Sequence, residues 1–261
     1  MSLLTRRKLK DRLKANDAPL FGTFIKTPTV HGVEIIGGLG YDFVIIDAEH
    51  APFDRSAIEL LILAARASGV MALVRVGDTH AHEVLTALDN GADGVVAPHI
   101  WSADRAKQLV AMSRYGGKRG FSNSPRAGGY GARSLWEHVD LADSEVAVIA
   151  MIEDPEAIEN IDAILATEGL DAIFIGRGDL TVAMNDRVPG APLVKEATEK
   201  LLDAAQRASK PVFILAANPD EAAYYRRRGV RCFVLSSDQG FLRAAAQQAL
   251  SAFSAVCTEP V

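Results

Sequence analysis

The chain has 261 residues, 49% hydrophobic and 23% charged, so it can bury the large core of a single α/β barrel domain. Its formal net charge of −5 at pH 7 is modest and argues against nucleic acid as the principal partner. No apolar run approaches the length of a membrane span, so we expect no membrane partner.

The N-terminal segment and the two cysteines both indicate a cytoplasmic location. Residues 1–11 carry charges where a signal peptide needs an apolar core. Cys232 and Cys257 make no disulfide framework, and neither has a partner at a metal-binding spacing. A reducing compartment is the expected setting for such a chain.

Apolar runs with strand composition alternate with amphipathic helical patterns along the whole chain. The predicted strands are 20–25, 42–47, 70–76, 94–98, 146–152, 171–176, 211–216 and 231–236. Most are hydrophobic nearly throughout, as parallel strands covered on both faces are. The pattern predicts one (β/α)8 TIM barrel over residues 1–261, with an N-terminal helix. A doubly wound open sheet is the alternative, although no G-x-G-x-x-G follows the first strand.

One connection is much longer than the others. Residues 115–145 include a stretch rich in Gly, Ser and Arg, and connections of this length inside a compact domain are usually functional or disordered. Two interpretations stay open at this point. The segment is either a surface insertion or a long loop near the active-site mouth that offers Arg119, Arg126 or Arg133 to an anionic substrate.

Polar residues follow four of the predicted strands, and active sites of such barrels lie where the strands end. These polar residues are His50 after the second strand, Arg75 at the end of the third, Glu153 after the fifth and Asp179 after the sixth. Two glycines, Gly176 and Gly178, accompany Asp179 at the end of the sixth strand. Each has an ordinary structural explanation when read alone, such as a turn histidine or a helix-capping aspartate. Their coincidence at four strand ends predicts one shared site.

Glu153 and Asp179 come from adjacent strands and have no cysteine nearby. Hard oxygen ligands with open positions suit Mg²⁺ or Mn²⁺, with Co²⁺ or Zn²⁺ as alternatives. A 2-oxo acid could occupy the open positions, with backbone N–H groups of Gly178 and Asp179 on its other carboxylate oxygen. Arg75 would stabilise the charge on the keto oxygen when an enolate forms. His50 would be the proton shuttle.

The residues together resemble those of a known family. The segments Ile46–Pro52, Val74–Arg75, Ile152–Glu153 and Phe174–Leu180 look like the HpcH/HpaI family of class II pyruvate aldolases, and the resemblance runs from about Phe21 to Ala249. It implies a (β/α)8 barrel with a divalent metal. The implied reaction is reversible aldol cleavage of 4-hydroxy-2-oxo acids to pyruvate, or a related 2-oxo acid, and an aldehyde, through a metal-stabilised enolate.

The resemblance also implies individual roles. Glu153 and Asp179 would bind the metal, His50 would be a base paired with Asp89, and Arg75 would polarise the keto group. Gly176, Gly178, the Asp179 backbone and Met151 would line the substrate pocket. Family members typically form hexamers, as trimers of dimers that exchange the C-terminal helix, here about Gln239–Ala255.

Two positions depart from the family pattern. Met151 stands where the best-known members have a Gln near the metal ligands, which affects local hydrogen bonding. Arg177 replaces a common proline and adds a positive charge near the mouth. That charge could meet a second acidic group of the substrate or an acid on a neighbouring subunit.

Three other functions stay open. A Schiff-base aldolase would use Lys26, at the end of the first strand, as its nucleophile, but it leaves Glu153 and Asp179 without a role. A relative of citrate lyase or malyl-CoA lyase would use a metal and an enolate to cleave an acyl-CoA thioester. A non-catalytic barrel would bind a small acid as a sensor or scaffold.

Overall fold

The computed structural model describes residues 8–15 and 18–257. Within these ranges, eight parallel strands form a closed barrel in chain order, and β8 pairs with β1. The strands are β1 Leu20–Ile25, β2 Phe43–Asp47, β3 Met71–Arg75, β4 Gly94–Ala97, β5 Ala147–Ile152, β6 Ala172–Ile175, β7 Val212–Leu215 and β8 Cys232–Ser237. The predicted (β/α)8 TIM barrel is confirmed, and the open-sheet alternative is wrong.

Helices surround the barrel and extend it at both ends. They are α1 Leu9–Ala15, α2 Val30–Gly38, α3 Arg55–Ser68, α4 Ala81–Asp89, α5 Ala103–Ser113, α6 Leu135–Glu145, α7 Pro155–Glu159, α8 Ile161–Leu165, α9 Arg177–Ala183, α10 Pro192–Arg207, α11 Pro219–Arg227 and α12 Asp238–Cys257. The predicted terminal helices correspond to α1 and α12. Of residues 1–11, whose charges argue against a signal peptide, 1–7 lie outside the described residues.

The N-terminal helix α1 closes one end of the barrel. Its Leu9 and Leu13 are buried and belong to the same apolar cluster as Leu20 and Met71, which begin β1 and β3. This cluster fills the barrel interior, while a second and larger cluster lies between the strands and the outer helices. The carboxyl ends of the strands therefore form the open end, where polar side chains can collect.

The segment 115–145 differs from the long loop expected there. Its last part is helix α6, because the S-x-x-E sequence at its start lets the Ser134 backbone N–H donate to the Glu137 carboxylate at 3.4 Å. Arg119 pairs with Asp89 at the end of α4, and Arg126 pairs with Glu59 on α3. Within one chain these arginines therefore contact helix acids, and a role for the segment at the mouth stays a prediction.

None of the helices in the described ranges combines the length and hydrophobicity that a membrane span requires.

Candidate active site

A buried ion pair lies at the carboxyl ends of β2 and β3. Strand register places Asp47 beside Arg75. The guanidinium donates hydrogen bonds from Nε and Nη2 to the two Asp47 carboxylate oxygens, at 2.8 Å each. Lys26 Nζ lies 2.8 Å from Asp47 Oδ2. Burial alone would raise the pKa of Asp47, but Arg75 and Lys26 outweigh it and lower that pKa to about 2. Asp47 is thus an anion that fixes the Arg75 guanidinium in place.

Arg75 also contacts a second acid, Glu49. Its Nη1 lies 3.1 Å from Glu49 Oε2, and burial raises the pKa of Glu49 although Arg75 opposes the shift. Sequence reasoning passed over Glu49 even though it lies in the turn between Asp47 and His50. The available signal was an additional acid directly after a predicted strand.

Glu153 is buried directly after β5 and is held by the chain that follows β4. Its Oε1 accepts the His99 backbone N–H at 2.9 Å. His99 has φ 53, a left-handed conformation that is uncommon for a residue other than glycine. Its ring Nδ1 lies 3.2 Å from both carboxylate oxygens of Asp154. Sequence reasoning also missed His99, whose signal was Pro98-His99 at the end of the fourth predicted strand.

Glu49, His99 and Glu153 form the metal-binding candidate among the described residues. Each offers one ligand atom, and these atoms lie within 4.8 Å of one another. Burial raises the pKa of Glu153 to about 7, and the negative charges of Asp179 and Glu49 add to the increase. A cation bound among these groups would stabilise the ionised carboxylates, so the cluster fits a divalent cation. The carboxylates suit Mg²⁺ or Mn²⁺, whereas the imidazole favours Zn²⁺.

The predicted second ligand, Asp179, is not a member of this cluster. It lies in the first turn of α9 and is exposed, and its negative charge helps to raise the pKa of Glu153. Gly176, which precedes α9, lies against Glu153, because a Cβ at this position would be 2.7 Å from Glu153 Oε2. A glycine is therefore required there for the first turn of α9 to approach the acid. The ligand pair Glu153–Asp179 stays a prediction.

A cavity of about 580 Å³ opens beside the cluster at the carboxyl ends of the strands. Five of the residues predicted for catalysis or substrate binding line it, namely Arg75, Met151, Gly176, Gly178 and Asp179. Met151 Sδ is 3.9 Å from Arg75 Nη1. The cavity has the volume usual for small-molecule sites.

The two remaining predicted residues lie in different places. His50 is exposed beside the cluster, with Nε2 3.8 Å from Glu49 Oε2 and its backbone N–H donating to Asp47 at 3.2 Å. Asp89 has its carboxylate 3.1 Å from the buried Arg119 guanidinium. Within the described chain it is Arg119, and not His50, that pairs with Asp89. The catalytic pair of His50 and Asp89 that the resemblance implies therefore stays a prediction.

Known proteins with this fold and sequence pattern are similar over nearly the whole chain. The profile of the HpcH/HpaI aldolase/citrate lyase family matches residues 20–245. A hydroxypyruvate/pyruvate aldolase of Paraburkholderia phytofirmans is 32% identical and covers 93% of this chain and 95% of its own. A 5-keto-4-deoxy-D-glucarate aldolase of Klebsiella pneumoniae is 30% identical, over 94% of this chain and 96% of its own. The crystal structure of an HpcH/HpaI aldolase/citrate lyase family protein from Burkholderia cenocepacia has 31% identity, a TM-score of 0.90, and coverage of 94% and 98%.

Proposed function

Because the chain belongs to the HpcH/HpaI aldolase/citrate lyase family and is a carbon–carbon lyase of the aldolase type, we propose that it cleaves 4-hydroxy-2-oxo acids reversibly in a metal-dependent reaction. The products are pyruvate, or a related 2-oxo acid, and an aldehyde. One observation carries the proposal: the cluster Glu49, His99 and Glu153 lies beside a cavity lined by the fixed guanidinium of Arg75.

The metal-binding cluster and α9 would bind the 2-oxo acid together. A divalent cation held by Glu153, with Glu49, His99 and Asp179 as candidate ligands, would act as a Lewis acid on the carboxylate and keto oxygens. The first turn of α9 leaves backbone N–H groups without helical partners. Gly178 and Asp179 line the same cavity, and their N–H groups would hold the other carboxylate oxygen.

Arg75 would stabilise the negative charge that develops on the keto oxygen. Its orientation is set before substrate binds, since Asp47 holds two of its nitrogens and Glu49 a third. A donor that is already oriented needs no reorganisation as the charge develops, which is the main advantage of such groups in catalysis. The same ion pairs keep the buried guanidinium compensated when no substrate is present.

His50 would move the proton. In cleavage, the His50 imidazole beside the metal-binding cluster would accept the proton of the C4 hydroxyl as the C3–C4 bond breaks and the aldehyde leaves. The electrons of that bond pass to the 2-oxo acid fragment, and a proton returned to C3 gives pyruvate. His50 lies next to Glu49 and is exposed, so its imidazole can exchange that proton with solvent.

Exchange of the methyl protons of pyruvate in deuterium oxide tests the proposal without an aldehyde. Deuterium incorporation, measured by mass spectrometry, should require a divalent cation, stop with EDTA and resume when Mg²⁺, Mn²⁺, Co²⁺ or Zn²⁺ is added back. EDTA-resistant exchange with a borohydride-trapped adduct on Lys26 would instead establish the Schiff-base alternative. The ion pair of Lys26 with Asp47 opposes that outcome. A citrate-lyase-like enzyme would cleave a CoA ester and leave 4-hydroxy-2-oxo acids unchanged.

The C-terminal helix supports the predicted homo-oligomer. No residue of α12 is buried in the single chain. Its exposed large apolar side chains recur at helical spacing on one face, and they are Leu242, Leu250, Phe253 and Val256. An apolar helix face of this kind indicates a protein partner. We propose that α12 packs against another copy of the chain, as in the hexamer that the resemblance implies.

Placing a charge in the apolar face of α12 should reduce the assembly. Phe253, which is 75% exposed, is replaced by glutamate, and light scattering after size-exclusion chromatography should give a smaller mass. Ser251→Glu is the matched control because Ser251 lies on the opposite side of α12. An unchanged mass for Phe253→Glu, or an equal loss for both variants, would contradict the proposed packing.

A further inference from the structure

The cavity has a buried end and an exposed end. Arg75 and Met151 form the buried end, next to Glu153. The first turn of α10 and the start of α11 contribute Lys195 and Glu221 to the exposed end. The volume of about 580 Å³ exceeds what a three-carbon acid needs. A substrate with its 2-oxo acid at the buried end would therefore extend its aldehyde-derived half towards the exposed end.

The positive charge of Arg177 at this exposed end is already compensated. Its Nη1 lies 2.5 Å from Glu221 Oε1 and 3.0 Å from the Tyr225 hydroxyl, and its Nη2 donates to the Leu215 carbonyl at 2.7 Å. Glu221 also accepts the Ala217 N–H at 2.7 Å. Arg177, one of the two residues that depart from the family pattern, thus joins the start of α9 to β7 and α11.

Lys195 is the third cation that lines the cavity, after Arg75 and Arg177. Unlike the two arginines, it forms no ion pair within 4.0 Å in the part of the chain that the structure describes. Burial alone would raise the pKa of Glu221, but Arg177 and the Ala217 N–H lower it, and the charge of Lys195 adds to that lowering. Arg177 and Glu221 compensate each other, and the other acid of the lining, Asp179, is a candidate metal ligand in the first turn of α9. Lys195 is therefore the cation of the exposed end that has no ion-pair partner among the described residues.

We propose that Lys195 is a specificity-determining residue that binds an anionic group, a carboxylate or a phosphate, on the aldehyde-derived half of the substrate. The inference rests on the proposed function, because that function places the 2-oxo acid at the Arg75 end. The ammonium donates hydrogen bonds to the anion and lies away from the bond that breaks. Lys195 therefore selects among aldehydes and leaves the chemistry of the pyruvate half unchanged.

The test compares Lys195→Met with the wild-type enzyme on matched aldehydes. Methionine keeps the length and helix propensity of lysine and removes the charge. Addition of pyruvate to glutaric semialdehyde is compared with addition to pentanal, and glyceraldehyde phosphate with glyceraldehyde. The ratio of kcat/KM for the charged over the uncharged aldehyde should fall about tenfold in Lys195→Met, the lower end for a charge-assisted hydrogen bond. Lys195→Arg should retain most of the ratio.

Two controls separate the possible outcomes. Lys200→Met removes a cation from the same helix and should leave the ratio unchanged. Lys200 is not part of the cavity lining, and its Nζ lies 2.8 Å from Glu196 Oε1. Pyruvate methyl exchange should be equal in all variants. An unchanged ratio in Lys195→Met with normal exchange would overturn the role of Lys195 alone. Absence of metal-dependent exchange in the wild-type enzyme would overturn the proposed function and this inference with it.

Discussion

Replacing Glu153 by glutamine is expected to lower aldolase activity by about 10³-fold or more, equivalent to ~4 kcal/mol of transition-state stabilisation. The amide keeps the size of the carboxylate, and its oxygen can still accept the His99 N–H that Glu153 accepts at 2.9 Å. It lacks the negative charge that a hard cation requires. The loss should therefore come from metal binding, and the fold should be kept.

Three measurements on Glu153→Gln identify the cause of the loss. Calorimetric titration with Mn²⁺ should show weakened binding, steady-state kinetics should show the lost turnover, and the melting temperature should stay near that of the metal-free wild type. Glu156→Gln, an exposed position on the neighbouring helix α7, should behave as wild type. A Glu153→Gln enzyme with full metal affinity and full activity would end the proposal.

Arg75→Met is expected to reduce kcat by about 10²–10³-fold, the effect typical of losing one donor to a developing oxyanion. It should also destabilise the protein, by an amount of up to 3–5 kcal/mol, since removing one partner of a buried ion pair leaves the other charge uncompensated. Asp47 is fully buried and, among the described residues, would retain Lys26 as its cationic partner. Mn²⁺ binding should survive, because Arg75 does not belong to the metal-binding cluster.

A second substitution distinguishes catalysis from stability in this variant. Adding Asp47→Asn removes the uncompensated acid, so Arg75→Met/Asp47→Asn should recover much of the melting temperature lost in Arg75→Met. Turnover should stay low, because no guanidinium faces the keto oxygen. Recovery of turnover together with stability would mean that Arg75 only supports the fold.

The barrel itself could be predicted because each of its strands is indicated by a short segment of the sequence. Each buried parallel strand is a nearly continuous apolar run, and each predicted strand differs from the observed one by at most a few residues, as 94–98 does from Gly94–Ala97. The pair Asp47–Arg75 depends instead on how β2 and β3 align. No pattern within either strand contains that register, although both residues stand at strand ends.

The parts of the site that sequence reasoning missed depend on backbone direction and long-range contacts. Glu49 and His99 each follow a strand, but only the turn geometry, including φ 53 at His99, brings them to Glu153. The extra charge of Arg177 was visible in the sequence. Its compensation by Glu221, 44 residues further along the chain, was not. Lys195 became a candidate only when the cavity lining was known.

The most direct test of the account is anomalous diffraction at the manganese absorption edge from crystals grown with Mn²⁺ and pyruvate. We expect one strong peak coordinated by Glu153 and by at least one of Glu49, His99 and Asp179. Pyruvate should lie beside it in the cavity, with its keto oxygen towards Arg75. A peak elsewhere, or pyruvate bound with Glu153 directed away from any ion, would contradict the central claim that this acid holds the metal on which the carbon–carbon cleavage depends.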